Sequence, residues 1–175
     1  FYDGTYLPDG RVIAISNIGY QGVPCVNGDD AVGNMVLYNP KDKSMRRLTF
    51  DQDANWNPVI MNNGRVMYTR WEYTDLTHYY SRIVMHMNPD GTENKALYGS
   101  GAMFPNSTFD IQPLPGHGSA FVGIISGHHG VARSGRMIIF DPTKGRKSTA
   151  GMVQEIPHRN RPIKEEIKDE LVNGV

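Results

Sequence analysis

The stretch Leu7-Pro-Asp-Gly-Arg-Val-Ile-Ala-Ile-Ser16 decides how this sequence folds. Proline presets φ, aspartate bonds its own backbone and glycine accepts positive φ, so Pro-Asp-Gly is a turn former. The apolar, β-branched run behind it suits a pleated strand.

Working outward, the same form returns. Met61-Asn-Asn-Gly-Arg-Val-Met-Tyr-Thr-Arg70 repeats it with Asn-Asn-Gly as the turn, and Leu114-Pro-Gly-His-Gly-Ser-Ala-Phe-Val-Gly-Ile-Ile125 is a looser third copy. Gly10, Gly64 and Gly118 stand 54 residues apart each time. A second hairpin signal follows each copy. Met35-Val-Leu-Tyr-Asn-Pro-Lys-Asp-Lys-Ser-Met-Arg-Arg-Leu-Thr49 reads as strand, turn, strand, Ile83 to Tyr98 repeats that plan, and Met137 to Arg146 opens a third. Two hairpins per copy make four strands, and a four-stranded antiparallel unit recurring at this spacing is the blade of a β-propeller. An unrelated β-sandwich whose hairpins merely look alike is the competing architecture.

The expected fold is therefore all-β: a partial propeller over residues 1–156, with repeats at roughly 1–53, 54–107 and 108–156. Three blades fall short of the roughly four to eight that close a ring, so further blades are expected outside these termini. Residues 157–175 change composition. Ile163, Ile167 and Leu171 recur every fourth residue there, which reads as a short helix or a charged linker toward another domain.

Bulk properties exclude several function classes. Eighteen Lys and Arg balance eighteen Asp and Glu, so nothing in the charge balance implies a broad basic surface for nucleic acid. No apolar run approaches the length of a membrane-spanning helix. Cys25 is the single cysteine, so neither an internal disulfide nor a four-thiolate zinc site can form. No haem-attachment motif, phosphate-binding glycine loop, nucleophile elbow or His-Glu-x-x-His pattern is present.

Asn88-Pro-Asp-Gly-Thr92 and Tyr38-Asn-Pro40 resemble the propeller repeats of TolB-like proteins. Five stretches carry a more specific likeness: Gln21 to Cys25, Leu48 to Asp53, Thr69 to Asp75, Met85 to Thr92 and Ser126 to Val131. Together they resemble the region shared by the hydrazine synthase alpha subunit and a wider set of exported bacterial proteins. The resemblance implies a periplasmic or secreted protein whose chain continues on both sides. It does not imply hydrazine synthesis, since that enzyme uses attached haems.

Three constellations can carry chemistry. His128 and His129, between glycines, can offer imidazole nitrogens to a metal, and Cys25 lies in the matching loop of the first repeat. Corresponding loops of different blades converge, so Cys25, His128 and His129 are candidate ligands for zinc or another divalent ion. A buried cysteine and hydrogen-bonded histidines are the plainer reading. Arg70, Trp71, Glu72, Tyr73 and Asp75, followed by His78 and Tyr79, form the densest aromatic and polar cluster, and exposed rings there would stack on a glycan or grip a small polar ligand. The alternative places Trp71 and Tyr73 in the core and pairs Arg70 with Glu72. Asp51, Asp53 and Asn55 form an oxygen-rich run of the kind that can hold calcium, yet it lacks the glycine and terminal glutamate of a calcium loop and reads as a solvated or strand-capping turn.

Three functional expectations follow. One is a scaffold or ligand- and partner-binding module of an exported multidomain protein, contacting flanking domains of its own chain and a small ligand. A second is part of a metal- or haem-dependent redox enzyme whose pocket is completed elsewhere, and a third is a glycan-binding module working through Trp71, Tyr73 and Tyr79. Whether the chain is catalytic stays open at this level.

Overall fold

The computed structural model describes residues 1–72, 82–102, 104–126 and 135–158. The all-β class is what the structure shows. Twelve strands form among the described residues: β1 Tyr2–Tyr6, β2 Val12–Ser16, β3 Asn34–Asn39, β4 Ser44–Arg47, β5 Asn55–Ile60, β6 Val66–Trp71, β7 Arg82–Met87, β8 Lys95–Tyr98, β9 Ser107–Pro113, β10 Phe121–Ser126, β11 Arg136–Phe140 and β12 Met152–Ile156. No described helix is long and apolar enough to cross a membrane. Of residues 157–175, expected as a linker or short helix, 159–175 lie outside the described residues.

The strands pair as antiparallel meanders. β1 to β4 form one sheet in chain order, while β5 to β8 and β9 to β12 share a second sheet. Those last two meanders are linked in the ladder by one parallel pair, Arg82 with Ser107. Each central ladder begins just before a turn that opens on Asn or Asp followed by Pro. Val12 pairs with Tyr38, Val66 with Met87 and Phe121 with Phe140, directly ahead of Asn39, Asn88 and Asp141. These pairs align the three meanders residue by residue.

The turns correct one part of the sequence reading. Gly10 and Gly64 occupy equivalent positions, each with positive φ and each donating its N–H to a carbonyl three residues back, Leu7 and Met61, at 2.9 Å. In the third copy that bond is made by His117 to Leu114, and the positive φ falls on Gly116. Pro115-Gly116 is the sequence of a turn with glycine at its third position, whereas Pro8-Asp9-Gly10 puts glycine at the fourth. Leu114 N–H then reaches Ala120 C=O, a loop two residues longer than Leu7 to Arg11 or Met61 to Arg65. Gly118 is thus not the counterpart of Gly10 and Gly64, and the equal spacing joins a slightly shorter repeat to a longer loop.

Alternation then decides the packing. Side chains at successive strand positions point to opposite faces. Ile13, Ile15, Met35 and Leu37 of the first meander share a buried cluster with Val66, Tyr68, Ile83, Met85 and Met87 of the second. The intervening residues Met67 and Val84, with Leu97 and Tyr98, join Phe121, Ile125, Ile138 and Phe140 of the third. The middle meander is apolar on both faces because both are covered. Each fully buried large side chain contributes roughly 1.5–3 kcal/mol of transfer free energy.

Candidate functional site

Three connections link the second and third strands of the meanders, and the sequence-predicted site residues fall in or beside them. Cys25 lies in the first, within a 3-10 turn over Pro24–Val26. Val23 and Val32 of that connection bury themselves against Trp71 at the end of β6, with Val26 and Trp56 packed alongside. Ser126 ends β10 opposite Ser107, which in turn pairs with Arg82 at the start of β7. The described flanks of all three connections therefore meet at one end of the molecule. Tyr73, Asp75, His78, Tyr79, His128 and His129 lie outside the described residues.

At this end Arg70 organises a charged layer. Its Nε lies 3.0 Å from Asp51 Oδ1 and 2.9 Å from Glu72 Oε1, and all three side chains are largely shielded from water. Alternation along β6 accounts for this: Arg70 faces Asp51 while its neighbour Trp71 points into the aliphatic cluster. Trp71 is only 6% exposed. Its ring stacks on Trp56, centroids 6.3 Å apart, so it is not the open platform expected for a glycan. Arg70 and Glu72 are an ion pair, and Asp51 is a third member that spacing alone did not reveal.

The bend carrying Asp51 is tied down from several directions. Arg47 Nε donates to Thr49 O at 2.7 Å, Gln21 Nε2 to Gln52 O at 3.1 Å, and Asn34 Nδ2 to Asp51 O at 3.4 Å. Asn55 Nδ2 donates to Thr49 Oγ1 at 3.2 Å. Of the turn expected to be solvated or strand-capping, Gln52 is exposed while Asp53 is 1% exposed and Asn55, which opens β5, is fully buried. Both Asp53 carboxyl oxygens, like Asp51 Oδ2, are buried without a hydrogen-bond partner. Burial, reinforced by the charge of Asp51, pushes the Asp53 carboxyl up to about 6.

A second feature escaped sequence reasoning. The Arg82 guanidinium sits 4.9 Å from the Trp71 ring centroid, 5.6 Å from that of Phe109 and 5.7 Å from that of Trp56. A cation among three aromatic faces is an attractive arrangement, strongest when desolvated. Its members come from four strands, β5, β6, β7 and β9, so no local pattern announces it.

Chemically, the site offers a near-neutral carboxyl beside a carboxylate–guanidinium–carboxylate layer, enclosed by stacked aromatics. No group of three or more His, Cys, Asp and Glu able to hold a metal ion occurs among the described residues. Two of the three expected ligands, His128 and His129, lie outside those residues.

Neither a protein-family model nor a curated protein matches this chain. Among solved structures it is similar to the crystal structure of the tricorn protease, with a TM-score of 0.49 and 13% sequence identity. That likeness covers 91% of this chain and 13% of the other, so the chain spans about an eighth of that protein's length.

The charged layer makes its own prediction. Arg70→Met should lower the unfolding free energy by about 1–2 kcal/mol, because it leaves Asp51 and Glu72 close together and largely shielded from water without a cation between them. Urea denaturation at neutral pH reads this directly. A change within error would mean that the two carboxylates find water without Arg70.

Proposed function

We propose that this chain is a three-blade region of a β-propeller that acts as a scaffold, with its second-to-third-strand connections forming a binding face. The observation that carries the reading is the middle meander, covered on opposite faces by alternating residues of its two neighbours. Sheets stacked through both faces are how propeller blades pack around an axis. A stack that brings its second-to-third-strand connections to one end resembles other scaffolds on which binding loops are mounted. The likeness of five segments to exported relatives of the hydrazine synthase alpha subunit supports placement in a larger exported protein.

The two tryptophans of the chain, Trp56 and Trp71, pack against the first of these connections, so ligand binding there should alter their emission. The test is a fluorescence titration of the whole chain with zinc, calcium and neutral oligosaccharides, repeated on Glu72→Gln. A saturable response to one class that weakens at least tenfold in the variant, about 1.4 kcal/mol, is the expected result. Absence of any response, or saturable turnover by the chain alone, would overturn the binding-scaffold reading.

A further inference from the structure

The bend that joins the first meander to the second carries buried oxygens that no donor among the described residues reaches. Asp51 Oδ2, Asp53 Oδ1 and Oδ2 and Asn55 Oδ1 are all enclosed without a hydrogen-bond partner. Asp53 is 1% exposed and Asn55 0%. The fold gathers these groups around one point. Asn55 pairs with Arg70 across the β5–β6 ladder, so their side chains share one face of the sheet, and Arg70 Nε holds the other oxygen of Asp51 at 3.0 Å. Asp51 is in turn close enough to Asp53 for its charge to act on that carboxyl. The Asn55 amide is satisfied on one side only: its Nδ2 donates to Thr49 Oγ1 at 3.2 Å and to Gly33 O at 3.4 Å, while its Oδ1 accepts nothing among the described residues. Every orphaned atom of residues 51–55 is an acceptor, so what this bend lacks is positive charge. Buried carboxylates are ordinarily paired or bound to a metal, because an uncompensated one is costly.

We propose that this bend holds one calcium ion, with Asp51 Oδ2, the Asp53 carboxylate and Asn55 Oδ1 as its protein ligands. Oxygen donors without sulfur or imidazole select a hard cation. Calcium accepts carboxylate and carboxamide oxygens together in irregular geometry, whereas magnesium demands a near-ideal octahedron. Two carboxylates and one carboxamide are therefore a calcium set rather than a zinc set. Gln52, within the bend, is exposed, so water can complete the shell. The charges agree. Asp51, Asp53 and Glu72 stand against the guanidinium of Arg70 in this layer, and the excess of negative charge is of the size that a divalent ion cancels. Arg70 takes Asp51 Oδ1 and leaves Oδ2 to the ion. The inference goes beyond a binding face formed by the connections: the ion ties residues 51–53 to the start of β5 and so fixes the junction between the first two meanders, whatever binds elsewhere.

The experiment is urea denaturation of the full 175-residue chain at pH 7.5, stripped of metal with a chelator and then titrated with calcium chloride, with magnesium chloride as the comparison. The expected result is a midpoint that climbs with calcium at concentrations where magnesium leaves it in place, as mass action requires of an ion that binds the folded chain. Asp53→Asn keeps the shape of the side chain and removes its charge, and it is expected to fold, being the more stable protein in chelator. It should need at least about tenfold more calcium for the same rise, so the gap between the two proteins closes as calcium is added. Terbium, which takes the place of calcium, gives a second readout: Trp56 follows Asn55 in β5 and should excite bound terbium, with calcium displacing the signal and Asp53→Asn weakening it by a similar factor. Three outcomes would overturn the proposal. A wild-type midpoint indifferent to calcium would mean that water alone serves the orphaned oxygens. An equal rise with magnesium would be a general salt effect. An undiminished response in Asp53→Asn would place the ion at another site. The oligosaccharide titration reads the connections rather than this bend, so failure here and failure of the binding face are separate results.

Discussion

Phe140→Ala is expected to lower the unfolding free energy by about 3–5 kcal/mol, the largest single-residue effect in this chain. Phe140 is fully buried, with its ring stacked 4.8 Å from Phe121 and edge-on to Tyr98 at the same distance. These rings join the second meander to the third, so the cavity left by alanine would open at a junction between sheets. The junction resists collapse because Tyr98 is anchored: its one hydroxyl proton is shared between Ser148 O at 2.5 Å and Ala150 O at 2.6 Å. Urea denaturation should show the midpoint falling with the slope unchanged, the mark of lost stability rather than a changed unfolded state. A loss below about 1.5 kcal/mol would mean that the third meander repacks freely, contrary to a cavity at a rigid joint. Tyr98→Phe, which keeps the ring and removes the hydroxyl, should cost only about 1–1.5 kcal/mol.

Asp53→Asn is expected to stabilise the protein at pH 7.5 by about 1–3 kcal/mol and to do nothing of the kind in acid. The sign follows from the raised carboxyl. Below about pH 4 the folded and unfolded chains both hold the proton. Between about 4 and 6 the unfolded chain has lost it while the folded chain keeps it, since its carboxyl titrates near 6 against an ordinary 3.8. The contribution of Asp53 is therefore fully present in acid, declines as pH rises from about 4 to 6, and stays lost above that. Two units correspond to roughly 3 kcal/mol. Asparagine is permanently neutral, and its amide can donate to the unpartnered Asp51 Oδ2. The measurement is the difference in unfolding free energy between wild type and variant from pH 4 to 8. Taking a difference matters, because Asp9, Asp42, Asp90 and Asp141 have carboxyls lowered by local hydrogen bonds and pull stability the opposite way with pH. A flat difference curve would contradict a buried, unpartnered Asp53.

Local residues announced the hairpins well. Pro-Asp-Gly and Asn-Asn-Gly mark turns because φ preferences belong to the residue itself, and the alternating apolar runs behind them became strands. The third turn was misaligned for an equally local reason: two glycines, Gly116 and Gly118, compete within three residues, and only backbone geometry shows which takes the positive φ. Of the alternative that put Trp71 and Tyr73 inside and paired Arg70 with Glu72, the parts on Trp71 and the ion pair agree with the observed geometry, and Tyr73 lies outside the described residues. Nothing in Asp51-Gln52-Asp53 distinguishes a solvated turn from a buried one, since its burial comes from Arg47, Gln21, Asn34 and Asn55, which arrive from other elements.

Sequence by itself determined that this protein is all-β and built from repeated hairpins, because turn chemistry and side-chain alternation are short-range properties carried by each segment. Tertiary structure decided which apolar face meets which sheet, that Asp53 sits without a partner beside the Arg70 ion pair, and that Arg82 is enclosed by Trp56, Trp71 and Phe109. Those features depend on residues up to several dozen positions apart being brought within a few ångströms. The energies involved, desolvation and ring contact, exist only once the meanders have stacked.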